Sequence, residues 1–251
     1  MPQRALKIAA WALGSVAVLA ALSIIALLVA GNTDPGRRMI ERITLGVTGG
    51  TVKLSGLGGS FPAKLTLRRL ELIDKQGVWL SADGIALTWS PLALLDRRIS
   101  VDILEASHLD MERTPHSEGA GGSVSIPHIQ VRQFSLGDVT LGAQLAGREA
   151  RLSLRGGLDF RSLEDARADV AAHRIDGDGD YSAQLNFDSK RMDGTLTVHE
   201  PASGPLENIL QVPGLGALSA VATIAGPREA ERVDLKLTAG GLTAAVGGVI
   251  D

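Results

Sequence analysis

No cysteine occurs anywhere in the 251 residues, which excludes disulfides, thiolate metal sites and cysteine nucleophiles. Aromatic residues are scarce, at 3%, too few for a large core built on aromatic anchors. Neither sign of charge dominates. The 25 basic and 28 acidic side chains leave a formal net charge of −3, without the basic footprint that nucleic-acid binding needs, so no nucleic-acid partner is expected. What the chain holds in quantity is glycine, at 30 residues, within a 45% apolar composition that also includes 10 prolines. Many short strands joined by turns produce such a composition and a helical bundle does not, so the expected class is all-β.

One apolar run stands apart. Residues 8–30 contain no Asp, Glu, Lys or Arg, and about 20 residues at a rise of ~1.5 Å cross a hydrocarbon core. Arg4 and Lys7 precede the run and Trp11 lies near its start. Arg37 and Arg38 follow closely, so the distribution of basic residues favours a cytoplasmic segment 1–7 only slightly. The competing reading is a cleaved signal peptide, whose apolar region is shorter, about 7–15 residues, and ends at a small-x-small site that Val29 and Gly31 supply poorly. A single-pass transmembrane helix over 8–30 is the expectation, with the bulk of the chain on the far side.

Beyond the run, Thr33 or Asp34 can N-cap a short helix over 33–45 that places Pro35 in its first turn and Met39, Ile40 and Ile43 on one face, close to the membrane surface. From residue 46 the apolar period becomes two, as in Val52 and Leu54, Leu65 and Leu67, Ile85, Leu87 and Trp89, and Ile99, Val101 and Ile103. Ser90 and Pro91 start a short helical turn carrying Leu92, Leu94 and Leu95, expected to cover an open edge or end. This β region extends to residue 115. Residues 116–122 lack periodicity and read as a flexible surface loop at a soft boundary. Alternation resumes over 123–251, at Val131, Val139, Leu141, Leu152, Leu154, Leu185, Phe187, Leu196 and Val198, and again at Val221, Val233, Leu235 and Leu237. A second helix is expected near 204–212, capped by Ser203 and stopped by Pro213. The last residues, Gly247 to Asp251, read as a strand beginning, so the β region is expected to continue further.

Candidate chemistry is sparse. Asp176, Asp178 and Asp180 alternate with glycines, but Tyr181 and Phe187 stand where a calcium loop needs Gly and an acidic ligand, so a solvated turn is the better reading. His108, His116, His128, His173 and His199 are scattered without metal-ligand spacing or a nucleophile elbow. The clusters Gly49–Gly50 and Gly56–Gly59 lack the Lys-Ser or Lys-Thr pair of a phosphate loop. Arg68 with Arg69, and Arg97 with Arg98, can meet lipid head groups or serve as solvated charges that protect sheet edges. No catalytic, metal or cofactor site is expected.

Several runs carry a resemblance. Residues 70–115, beginning LELIDKQG, contain the Trp89-Ser90-Pro91 step, the Leu94-Leu95 pair and a closing Arg113-Thr114-Pro115. Residues 56–62 read GLGGSFP, and 200–218 read EPASGPLENILQVPGLGAL. In this order the runs resemble the N-terminal region of the TamB family, within the AsmA-like group. That resemblance implies a transmembrane helix followed by an elongated, curled β-sheet, a taco-like groove, with a few short helices, in a Gram-negative inner-membrane protein whose bulk is periplasmic. It further implies a role in outer-membrane protein and autotransporter assembly or in phospholipid movement. The implied partners are the inner membrane, phospholipids, unfolded outer-membrane proteins and a TamA-like outer-membrane barrel, the last met by a C-terminal part beyond this sequence. The residues expected to line the groove are Leu65, Leu67, Ile85, Leu87, Trp89, Ile99, Val101 and Ile103. The same alternation is compatible with a β-sandwich. A different function also remains open: an anchored scaffold that recruits partners by β-augmentation and carries no lipid.

Overall fold

The computed structural model describes residues 31–116, 128–162, 164–209, 212, 214 and 216–250. The expected transmembrane helix over 8–30 lies outside these residues, as does nearly all of the expected loop over 116–122. Among the described residues no helix is long and apolar enough to cross a membrane.

The chain is mostly β, at 62% strand. It opens on α1 (Asp34–Val47), whose N-cap is Thr33, extended at φ −116° and ψ 148°, with its hydroxyl accepting from the Gly36 amide. Strands β1 (Val52–Ser55), β2 (Gly58–Ser60), β3 (Lys64–Asp74) and β4 (Gly77–Trp89) follow, then a 3-10 turn (Pro91–Asp96), β5 (Arg98–Ala106) and β6 (His108–Met111). The second part holds β7 (His128–Leu141), α2 (Ala143–Ala146), β8 (Ala150–Ser162), β9 (Asp165–Arg174), β10 (Asp180–Phe187), β11 (Arg191–Glu200), α3 (Pro205–Ile209), β12 (Leu218–Pro227), β13 (Glu231–Ala239) and β14 (Leu242–Ile250).

All fourteen strands join one sheet, in the order β1-β3-β4-β5-β7-β8-β9-β10-β11-β12-β13-β14, with β2 beside β3 and β6 between β4 and β7. Neighbours pair antiparallel except at one place: β5 and β6 run parallel to β7, with partners thirty residues apart, as in Ile99 with Ile129 and Leu109 with Val139. Parallel pairing requires the chain to return along the sheet before β7 starts. The start of that return is pinned. Arg113 donates to both carboxylate oxygens of Asp74, at 2.6 and 2.5 Å, and to the Gly77 carbonyl at 3.1 Å, while the His116 amide adds a third bond to Asp74 at 2.9 Å. The Arg113 guanidinium holds the Asp74 carboxyl well below the usual carboxylate range.

α1 runs along the β1–β2 edge, with Arg37 donating to the Gly59 carbonyl at 2.9 Å, Glu41 accepting from the Leu57 amide at 2.8 Å, and Thr48 bonded to Val52. An edge strand presents unpaired backbone groups, and a helix laid along it covers them. Met39 and Ile43 remain exposed.

A row of interruptions crosses the first strands. Bonded pairing lapses between β3 and β4 at Arg68 and Gly84, and between β4 and the β5–β6 joint at Gly84 and Ser107. It lapses again in β7 between Leu136 and Val139. Gly84 sits at φ +61°, and a Cβ there would lie 2.0 Å from the Ser107 hydroxyl oxygen. Each strand spends one extra residue here, so the apolar spacing becomes three, as in Leu67 and Leu70 or Ala106 and Leu109. An extra residue of this kind is a bulge, which bends a strand and increases its twist.

Two outcomes follow. Gly84→Ala incurs the left-handed penalty of about 1–2 kcal/mol and displaces Ser107, so the denaturant midpoint falls, whereas Ala at exposed Gly46, which meets no atom within 4 Å, leaves it unlowered. Asp74 has a folded-state pKa below its unfolded value of roughly 3.9. Its contribution is therefore fully present above about pH 4 and is lost as pH falls through the folded value. Asp74→Asn lowers stability at neutral pH and flattens its decline below about pH 4, read by denaturation at a series of pH values.

Candidate functional site: one continuous apolar face

The register brings apolar side chains from distant parts of the sequence into a line. Starting from Leu65, bonded partners lead through Leu87, Leu104, Phe134, Gly156, Val170, Ala183, Leu196, Ala222 and Leu235 to Val246. Directly paired residues share a face, so this row crosses eleven strands on one side of the sheet. A second line runs Leu54, Leu70, Ala82, Leu109, Val139 and Leu152. Its first four members are large, and from Phe134 onward large side chains face small ones at Gly156, Ala183 and Ala222. Gly156 is an extreme case: a Cβ there would stand 3.0 Å from the Phe134 ring and 2.1 Å from the Asp169 carbonyl.

Of the eight residues expected on this face, Leu65, Leu67, Ile85, Leu87, Trp89, Ile99 and Val101 lie on it. Ile103 does not. The register of β4 against β5 shifts between Thr88 and Trp89, so Trp89 pairs with Val101 but Thr88 pairs with Ile103. Ile103 thus stands with Thr88 on the opposite face and is 40% exposed, and Leu104 takes its place on the apolar face. The apolar pairs of these strands obey a five-residue rhythm, Ile99/Val101, Leu104/Ala106 and Leu109/Met111, repeated thirty residues later as Ile129/Val131, Phe134/Leu136 and Val139/Leu141, of which strict alternation missed Leu104/Ala106, Leu109/Met111, Ile129 and Phe134/Leu136.

Nothing in the described chain forms a second layer over this face. Among the described residues seven of the twelve buried apolar side chains are alanine and only Leu152 and Leu218 are leucine, whereas a sandwich would bury large aliphatic side chains from two sheets. The buried hydrophobic cluster is small, comprising Val198, Leu218 and Ala239 with Tyr181, Leu206, Ala220 and Leu237 around it. β1 and β14 end the strand order without meeting, so the sheet is not a closed barrel.

That cluster marks one margin of the face, where α2 and α3 pack together. The expected Ser203 cap of α3 is replaced. Ser203 lies at φ 62°, outside the extended conformation of an N-cap, and the Leu206 amide donates instead to Glu200, at 3.2 Å to Oε2 and 3.5 Å to Oε1. Glu200 is only 2% exposed and also accepts from the Tyr181 hydroxyl at 2.5 Å. Burial and the Glu200 carboxyl both push the Tyr181 phenol above its ordinary pKa, so it stays a donor. Arg174, 3% exposed, lies beside them with Nε bonded to Asp176 at 3.0 Å. Gly204 makes room, since a Cβ there would fall 2.0 Å from Glu200 Cδ.

The opposite face is polar. Lys53 and Arg69 pair with Glu71 at 2.7 and 3.0 Å, Arg69 reaches Asp83 at 3.2 Å, and Asp138 joins Arg151 and His108. Hydrogen bonds from Lys53 and Arg69 lower the pKa of Glu71. Two shallow hollows, of about 660 and 620 Å³, open on this side among β7–β11. The second is lined by His173, Asp180 and His199, of which His173 bonds Asp180 at 2.7 Å. Among the described residues no group of three His, Cys, Asp or Glu side chains is placed to hold a metal ion.

Comparison with protein-family models, with curated proteins and with solved structures found no significant match in any of the three.

Glu200→Ala strands two partly buried donors, the Tyr181 hydroxyl and the Leu206 amide, and costs about 2–4 kcal/mol, whereas Glu200→Gln keeps an acceptor and costs about 1 kcal/mol. Thermal unfolding of the two variants against the parent checks this order.

Proposed function

We propose that this protein is a membrane-anchored, non-catalytic component of envelope assembly whose sheet curls into a groove and carries phospholipid acyl chains along its apolar face. The observation that carries this reading is the unbroken row from Leu65 to Val246, half-buried along most of its length and covered by no second layer. An apolar sheet face is ordinarily buried against another element. Where none exists, a ligand with the same solvent preference lowers the free energy. Each acyl CH₂ removed from water contributes about 0.8 kcal/mol, so a short length of chain is held without polar recognition.

The dimensions agree. Twelve strands along the sheet order, spaced about 4.8 Å apart, give a face roughly 53 Å long, more than an extended acyl chain. The small residues Gly156, Ala183 and Ala222 set among larger ones leave room for the sheet to bend toward this side. The ion pairs of the opposite face keep that surface wet. The resemblance to the TamB family supports the same reading and extends it to outer-membrane protein and autotransporter assembly, with residues 8–30 as the inner-membrane anchor, the bulk of the chain in the periplasm and a TamA-like barrel as the outer-membrane partner of a part beyond this sequence.

A photo-crosslinking residue placed at Leu87, and separately at Thr88, in the membrane-bound protein tests the reading, because Leu87 pairs with Leu65 and Leu104 whereas Thr88 pairs with Lys64 and Ile103. Lipid adducts at Leu87 and none at Thr88, identified by mass spectrometry, are expected. Absence of adducts at both positions in folded protein would refute lipid carriage and favour a scaffold that recruits partners through strand edges.

A further inference from the structure

The 3-10 turn does not cover the sheet. Of its residues only Ala93 is buried, while Leu92, Leu94 and Leu95 are 77%, 50% and 83% exposed. Ser90 makes no side-chain capping bond, and Arg97 closes the turn in the left-handed region at φ 54°, with Arg98 next. Three leucines on a six-residue turn thus project into solvent, bordered by Asp96 and two arginines.

The place of this ledge decides what it meets. Asn32 clamps Phe61 through two bonds of 3.0 Å, one from its side-chain amide to the Phe61 carbonyl and one back from the Phe61 amide. Trp89 Nε1 donates to the Pro62 carbonyl at 2.6 Å, and the leucine turn begins two residues after Trp89. Arg37 Nε adds a bond to the Gly31 carbonyl at 3.1 Å. The point at which the uncharged stretch 8–30 enters the fold and the exposed leucines therefore share one corner of the sheet, away from the margin closed by α2 and α3. Arg38 and Arg42 of α1 are exposed near this corner.

We propose that the Pro91–Asp96 turn is a second membrane contact, in which Leu92, Leu94 and Leu95 insert into the interface of the bilayer that residues 8–30 cross. Arg97 sits at the depth of the lipid phosphates. Apolar tips bordered by basic side chains partition in this way, the leucines entering the acyl boundary and the guanidinium remaining among anionic head groups. Two attachments at one corner fix the angle of the sheet to the membrane, which a single helix would leave free to swivel. The contact rests on the reading of 8–30 as the anchor and not on the cargo of the apolar face.

The absence of native cysteine makes single-site labelling clean. The full-length chain is reconstituted into vesicles of zwitterionic and anionic phospholipid, carrying an environment-sensitive fluorophore at Leu92→Cys, Leu95→Cys, Leu19→Cys or, as a solvent control, Thr243→Cys, exposed on β14 and on the face opposite Val246. Lipids bearing a nitroxide high on the acyl chain should quench the labels at 92 and 95 several-fold more than the label at 243. Quenching at 19 with none above the control at 92 and 95 overturns the proposal and leaves the anchor standing. No quenching at 19 overturns both.

Discussion

In a single sheet every strand is held only by its two neighbours, and register is the interaction from which all else in this chain follows. No facing layer corrects a slip, and a shift of one residue turns every apolar side chain to the wrong side. An extra residue in one strand must therefore be matched in the next or absorbed at a boundary. Both solutions occur. β5 and β7 pair with a constant offset of thirty, so the bulge near Asp102 in one is copied near Arg132 in the other. β8 alternates strictly, and its register against β7 shifts twice, between Val131 and Phe134 and between Leu136 and Val139. The first half of the sheet thus carries the bulges, and the second continues as an antiparallel meander.

The scarcity of aromatics takes its meaning from the same constraint. A one-layer sheet bends toward its apolar side only if side chains on that side leave room for one another. Gly156 opposite Phe134, Ala183 opposite Leu196 and Ala222 opposite Leu235 supply that room. Small residues also reduce the apolar area that each strand exposes while the sheet assembles, which matters for an architecture whose units are stable only beside their neighbours.

What the sequence made legible was local. The Thr33 cap, Pro35 in the first turn of α1, the strand-turn rhythm and the inward set at Leu65, Leu67, Ile85 and Leu87 depend on residues close together in the chain. Ile103 was misplaced because its face depends on where β4 places Trp89 against Val101, a relation between strands that period two cannot express. The five-residue rhythm was present in the sequence as a signal and identifies the bulged strands once it is sought. The parallel pairing of β5 with β7 has no comparable mark, since it is a relation between strands that lie on either side of 116–122, which lack periodicity, and alternation within a strand does not state its direction. Glu200 as the cap of α3 was equally hidden. Ser203 is the better local candidate, and only the pairing of β10 with β11, which sets Tyr181 against Val198, brings the phenol within reach of a carboxyl two residues further along β11.

The two margins of the apolar face differ in kind, and the difference follows from how each treats polar atoms. At the α2–α3 margin the donors of Tyr181 and Leu206 are satisfied by a buried carboxyl and Arg174 by Asp176, an arrangement that tolerates little movement because each broken bond leaves a polar group in a place without water. At the margin near Trp89 the leucines face outward and one buried guanidinium nitrogen, Arg98 Nε, has no protein partner. The first margin can serve as a fixed wall. The second shows apolar surface to its surroundings, in Leu92, Leu94 and Leu95. Polar groups satisfied internally at one margin and leucines turned to the surroundings at the other make the two margins respond oppositely to water, so the surface that the second margin meets matters to the sheet as much as the composition of its apolar face.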